Sequence, residues 1–250
     1  MKRMFLITIL FVAFSSGAQV ISLSYDANDG VPKSGEDVLK HLHQKYKEAP
    51  CKAYTFSQKN THYKNDSVIG TSIWYEAVQF PDKFRIDFGD KTEGNFVVFK
   101  NDSAYSYRKF ELKKTSYNPN TLLLLLGGMY YRDFNEVIAR LQKEHYNTKV
   151  LSKQKWRKQE VEVVGALKGD TLSNQIWVSK KERRIVRIIE KMDENRMMDM
   201  TFDAYQKNCK GYTETKVTFK SNGKVEQVEE YYDIKAIDKF PEEVFSPKNK

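Results

Sequence analysis

The sequence predicts a mainly β protein: one antiparallel sheet of about 11–12 strands, curled into an unclosed barrel and accompanied by a few helices. Three observations lead there. Apolar and polar residues alternate with period two over most of the chain, as where Met198, Met200, Phe202 and Ala204 interleave with Asp199, Thr201 and Asp203. The separators are short, for example Phe80-Pro81-Asp82 and Lys100-Asn101-Asp102, and leave no room for the helical crossovers that parallel strands need. Finally, 15 Tyr and 15 Phe give a chain of 250 residues an excess of strand-favouring rings to bury. A sheet of that length must curl or close.

Taken in order, Met1 to Gln19 has the layout of an export signal. Lys2 and Arg3 form a positive start, Met4 to Phe14 an apolar core, and Ser16-Gly17-Ala18 a small-residue cleavage site. We therefore expect residues 1–18 to be removed, leaving residues 19–33 as a polar lead-in and residues 34–250 as a single domain. No cysteine follows the cleavage site, so the acceptor for lipid attachment is missing, and a cleaved leader without an anchor points to the periplasm. Ser34 caps a helix in which Val38, Leu39, Leu42 and Tyr46 share a face, and Pro50 ends it. Strand patterns follow at about 51–59, 68–80, 83–88, 95–100 and 103–112.

Asn118-Pro119 then starts a short helix, Leu122 to Leu126, ended by Gly127-Gly128. It is apolar all round, so it either plugs the core or covers something itself apolar. Asp133 caps a third helix, with Glu136 placed for a capping box and Phe134, Val137, Ile138 and Leu141 on one face. Strand patterns resume at about 147–154, 159–167, 174–179, 184–192, 197–206, 214–220 and 224–237.

The net charge of +9, or +7 without Lys2 and Arg3, raises nucleic acid as a partner. The basic residues are scattered among acidic ones rather than gathered in a stripe, and export removes the protein from nucleic acid. A solvated face that meets anionic lipid surfaces transiently fits better, at about 1 kcal/mol per basic residue near the membrane. In an oxidising compartment Cys51 and Cys209 form either one long-range disulfide or two separate thiols. Motifs for serine hydrolases, zinc proteases, phosphate-binding loops, dinucleotide sites and EF-hands are absent from the sequence. His41 and His43 lie two apart, which does not place them on one helix face, so they are expected to be exposed histidines rather than a metal pair. No cofactor and no metal is expected.

The segment Phe80-Pro81-Asp82-Lys83-Phe84-Arg85-Ile86-Asp87 resembles the P-x-x-F-R strand of the periplasmic lipoprotein carriers, the LolA-like family. Asn222-Gly223-Lys224, followed by Ile237 to Pro247, is similar to that family's final hairpin and tail. The resemblance covers most of the chain and implies a half-barrel whose helices cap a concave apolar face that accepts acyl chains. It implies Phe84, Ile86 and Phe88 as inward wall, with Arg85 and Asp87 outward or at the rim. Alternation adds Met198, Met200 and Phe202. Leu122, Leu123, Leu125 and Leu126 are the candidate lid, either mobile or a core plug.

The function expected is a non-catalytic, monomeric periplasmic carrier for acyl chains of lipoproteins or other amphiphilic lipids. Its partners would be that cargo and transfer proteins at the inner and outer membranes. The alternative is an envelope sensor on the same fold that signals through a protein partner. A hydrolase would instead require polar residues with perturbed ionisation gathered at the cavity mouth.

Overall fold

The computed structural model describes residues 30–246. The expected export signal, residues 1–18, and most of the lead-in therefore lie outside the described residues. Helix α1 (Gly35–Tyr46) opens the fold. Ser34 Oγ accepts from the Asp37 amide at 3.1 Å and the Asp37 carboxylate accepts from the Ser34 amide at 2.9 Å, so two otherwise orphaned N–H groups are satisfied reciprocally. Val38, Leu39, Leu42 and Tyr46 are buried as the spacing predicts. Gly35 is required by close approach: a Cβ there would lie 2.5 Å from the Thr148 carbonyl oxygen.

The first run of strands is β1 (Ala53–Lys64), β2 (Ser67–Gln79), β3 (Lys83–Phe88), β4 (Phe96–Lys100), β5 (Ser103–Arg108) and β6 (Glu111–Tyr117). Helices α2 (Thr121–Leu126) and α3 (Phe134–Lys143) follow, joined by a 3-10 turn over Gly128–Tyr131. The second run is β7 (Leu151–Trp156), β8 (Gln159–Val164), β9 (Gln175–Ser179), β10 (Ile185–Asp193) and β11 (Arg196–Asp203). It continues through β12 (Gln206–Asn208), β13 (Gly211–Thr213), β14 (Lys216–Ser221) and β15 (Lys224–Ala236).

Thirteen strands form one antiparallel sheet in the order β6-β5-β4-β3-β2-β1-β15-β14-β11-β10-β9-β8-β7, while β12 and β13 make a separate ribbon. The large sheet does not close, and β6 and β7 are its two edges. The chain between those edges is α2, the 3-10 turn and α3, so the connection must cross the opening of the half-barrel. That route places α2 over the concave face. Two-residue turns with both residues at positive φ join several neighbours, at Asn65-Asp66, Asn101-Asp102, Arg157-Lys158 and Asn222-Gly223, in keeping with the twist that tight hairpins favour.

The sheet has more strands than the sequence pattern suggested. The stretch read as one strand over 103–112 reverses at Lys109-Phe110, with φ of 51° and 64°, to give β5 and β6, and neither residue is a usual turn former. Helix α2 is capped by Asn120, whose side chain accepts from the Leu123 amide at 3.0 Å; Asn118, the expected cap, instead accepts from the Asn120 amide. Glu136 does not complete a capping box. Its carboxylate pairs with Arg132 at 2.5 Å and with Arg140 at 2.9 Å. His41 and His43, expected to be exposed, are buried, because α1 lies between the sheet and the α2–α3 segment; His43 Nε2 donates to the Arg132 carbonyl at 2.9 Å and its ring meets Phe134 edge-on.

The concave face is used in two ways. Toward β8–β11 it is filled: Ile176, Val178, Ile188, Met198 and Met200 pack with Val38, Leu42, Leu125, Val137 and Leu141 into the main core. Toward β1–β3, β14 and β15 it is hollow. The convex face carries its own packing, and the tail seals part of it: Phe245 joins Ala77, Phe96 and Val98 in a small core. Among the described residues no helix is long and apolar enough to cross a membrane.

Candidate functional site

The hollow half of the concave face encloses a cavity of about 450 Å³, within the range usual for small-molecule sites. Its wall is set by strand parity. On β1 the inward residues Tyr54, Phe56 and Gln58 face the cavity; on β2, Trp74, Glu76 and Val78; on β3, Phe84 and Ile86. The register places Tyr54 beside Val78, Phe56 beside Glu76 and Val78 beside Phe84, so the wall runs continuously across three strands. Val217 and Phe219 of β14 and Phe202 of β11 complete it from the other side.

Helix α2 is the roof. Leu122, Leu123 and Leu126 line the cavity, whereas Leu124 and Leu125 are buried in the core against α1 and α3. A helix that is apolar all round thus has two apolar environments, one solid and one hollow. Its C-terminal end is seated against the sheet. Gly127 receives the Phe80 ring so closely that a Cβ would stand 1.9 Å from Phe80 Cζ. Phe80 also stacks on Tyr131 with centroids 5.9 Å apart, and the Tyr131 hydroxyl donates to the Pro50 carbonyl at 2.5 Å.

Of the residues singled out from the sequence, Phe84, Ile86, Leu122, Leu123, Leu126 and Phe202 line the cavity, and four do not. Leu125 of α2 and Met198 and Met200 of β11 are enclosed in the main core, packed with residues of α1 and α3. Phe88 lies beyond the cavity, partly exposed and edge-on to Trp74 at 5.0 Å. Arg85 and Asp87 face away from the cavity. Arg85 donates twice to Asp87, at 2.9 and 2.6 Å, and once to the Val244 carbonyl at 3.1 Å, and its guanidinium lies 3.9 Å over the Phe96 ring. It ties the tail to the convex face and does not reach α2. Cys51, just ahead of β1, is disulfide-bonded to Cys209 in the β12–β13 turn.

The sequence reading missed the acids. Glu76, Glu214 and Glu229 line the cavity and are all buried. Glu229 accepts from the Tyr231 hydroxyl and from Gln227 Nε2, both at 2.6 Å. No hydrogen-bond donor or cation among the described residues pairs with the Glu76 carboxylate. Burial pushes Glu214 and Glu229 up to about 7; the Glu229 charge adds to the rise at Glu214, and the hydrogen bonds to Glu229 oppose its own. Burial, reinforced by Glu229, raises Glu76 well above the carboxylate range. A signal existed for Glu76, which shares the inward parity of its strand with Trp74 and Val78, and a weaker one for Glu229, which shares its parity with Gln227 and Tyr231. Among the described residues no group of three or more His, Cys, Asp or Glu is placed to hold a metal ion.

No family model matches the chain, and no curated protein matches it in sequence. Solved structures do match in shape. A LolA superfamily protein from Nitrosomonas europaea superimposes with a TM-score of 0.57 at 11% identity, over 86% of this chain and 98% of that one. A protein from Vibrio parahaemolyticus described as an outer membrane lipoprotein-sorting protein domain gives 0.57 at 12% identity, over 83% and 97%. A DUF1329 family protein from Desulfovibrio piger gives 0.59 at 12%, over 84% and 95%. At such identities the likeness shows the fold alone: this chain shares with these three structures an unclosed antiparallel barrel with helices across its concave face.

Proposed function

We infer that the protein is a non-catalytic carrier of amphiphiles in the cell envelope, holding one or more acyl chains between the concave sheet and α2. The observation that carries this reading is the cavity itself, walled by Phe56, Phe84, Ile86 and Phe202 and roofed by Leu122, Leu123 and Leu126. Each buried methylene contributes about 0.8 kcal/mol, so an acyl chain has a substantial reason to leave water for such a wall. The lipoprotein-sorting role named for the Vibrio parahaemolyticus domain supports acyl chains of lipoproteins as one cargo. An export signal at residues 1–18 and release into the periplasm fit the same role, with membrane transfer proteins as partners.

The test is displacement of an apolar fluorescent probe from the purified protein by a diacylated lipopeptide. Displacement by the lipopeptide, and none by the same peptide without acyl chains, is the expected result. Absence of both probe binding and displacement would sink the carrier.

One observation favours a second reading, a hydrolase: two buried acids that titrate near neutrality suit acid–base work. It predicts steady turnover of acyl esters or glycolipids that Glu214→Gln or Glu229→Gln abolishes. The carrier predicts bound ligand recovered unchanged.

A further inference from the structure

The cavity is rich in acids although the molecule as a whole is basic. In a chain of net charge +9, five carboxylates (Glu76, Glu144, Glu190, Glu214 and Glu229) line the cavity against one amine, Lys191. A wall built only to hold hydrocarbon would place apolar residues at these inward positions, because burying an unpaired carboxyl is costly. Glu76 is the sharpest case. It is 5% exposed, faces the cavity from near the end of β2, and no donor or cation among the described residues pairs with it.

Its surroundings are aromatic. Glu76 stands beside Phe56 in the β1–β2 register, Phe56 lies 4.8 Å from the Tyr231 ring and 5.8 Å from the Tyr54 ring, and the Tyr231 hydroxyl donates to Glu229 at 2.6 Å. Carboxylates set among ring faces are the chemistry that receives an ammonium group. An ammonium group beside them favours their ionised form, so the acids then supply charge and acceptors, and the rings add cation–π attraction once water is excluded. For phosphate and free carboxylate headgroups the described lining offers Lys191 as its one cation.

We propose that the cavity selects amphiphiles bearing a basic amine, whose ammonium group pairs with Glu76, Glu214 and Glu229 while the acyl chain lies under α2. This rests on the carrier reading and names the class of cargo. The acyl chain supplies affinity through apolar contact, and the acids discriminate among headgroups.

The test compares hexadecylamine, hexadecanol and hexadecanoic acid as competitors of an apolar fluorescent probe on the purified protein. The expected order is amine first, by about tenfold or more over the alcohol, with the acid weakest. Glu76→Gln and the double variant Glu214→Gln/Glu229→Gln should remove most of the amine's advantage over the alcohol. Far-UV circular dichroism and a cooperative urea transition check that the variants fold. Equal binding of amine and alcohol, or an amine preference that survives all three substitutions, overturns the inference and leaves the carrier standing. If none of the three amphiphiles competes, the carrier reading falls with it.

Discussion

Glu214 and Glu229 decide how the molecule responds to pH. Burial lifts their folded-state pKa from the ordinary 4.5 to about 7, so the folded chain keeps protons that the unfolded chain releases. The stability these groups contribute is fully present below pH 4.5 and is lost as pH rises through about 7. Glutamine imitates the protonated acid. Glu214→Gln/Glu229→Gln should therefore match the wild type near pH 4.5 and exceed it at pH 8, read as the difference between their urea midpoints. A difference that stays constant across that range would show that the two carboxyls are not buried as described. Arg85 poses a separate question at this scale, because the sequence motif that contains it also contains the cavity wall. Phe84 and Ile86 point in while Arg85 points out to the Val244 carbonyl and the Phe96 ring, so one short motif builds both the wall and the anchor of the tail.

At the scale of elements, α2 carries the most specific expectations, since neighbouring leucines in it have different tasks. Leu123 meets the cavity and is half-buried, and Leu125 is fully enclosed by the core. Leu125→Ala should cost about 2–5 kcal/mol of stability, measured by denaturant unfolding, with probe binding retained at low denaturant. Leu123→Asp should leave a folded protein that binds the probe poorly. Equal effects of the two substitutions on stability would mean that α2 is a plug with no hollow side. Gly127→Ala tests the seat of the roof: with Phe80 so close, the added methyl must displace ring or helix, at about 1–3 kcal/mol. Much of α2 was legible in the sequence, where five leucines in a row between Asn-Pro and Gly-Gly announced a short all-apolar helix. The choice of Asn120 as cap was not, because Asn118 and Asn120 are both good candidates and only the turn geometry separates them. The β5–β6 turn was hidden for a different reason, as Lys109 and Phe110 take left-handed conformations that Asn or Gly would have signalled.

For the whole molecule, the order of elements was legible because period-two alternation, short turns and an interrupting helical segment are local properties. The division of the concave face into a filled and a hollow half was not. Met198, Met200 and Phe202 share one parity and pack into one core, yet of the three only Phe202 also reaches the cavity, a distinction that alternation along β11 does not carry. The disulfide acts at this scale too. Cys51 and Cys209 are separated by 158 residues, so the bridge closes a loop spanning most of the sheet and fastens the β12–β13 ribbon to the start of β1. Replacing both cysteines by serine should lower stability by about 2–5 kcal/mol in denaturant unfolding, and a change well below that range would contradict a constraining role. Everything functional in this account depends on the hollow half being a place for amphiphiles. The most direct measurement is native mass spectrometry of the protein purified gently from the envelope of cells that express it. The account predicts a wild-type population carrying an added mass that fragments to acyl chains, and its loss in Leu123→Asp. A wild-type protein that is uniformly free of lipid, and remains so after incubation with a diacylated lipopeptide or hexadecylamine, would contradict it.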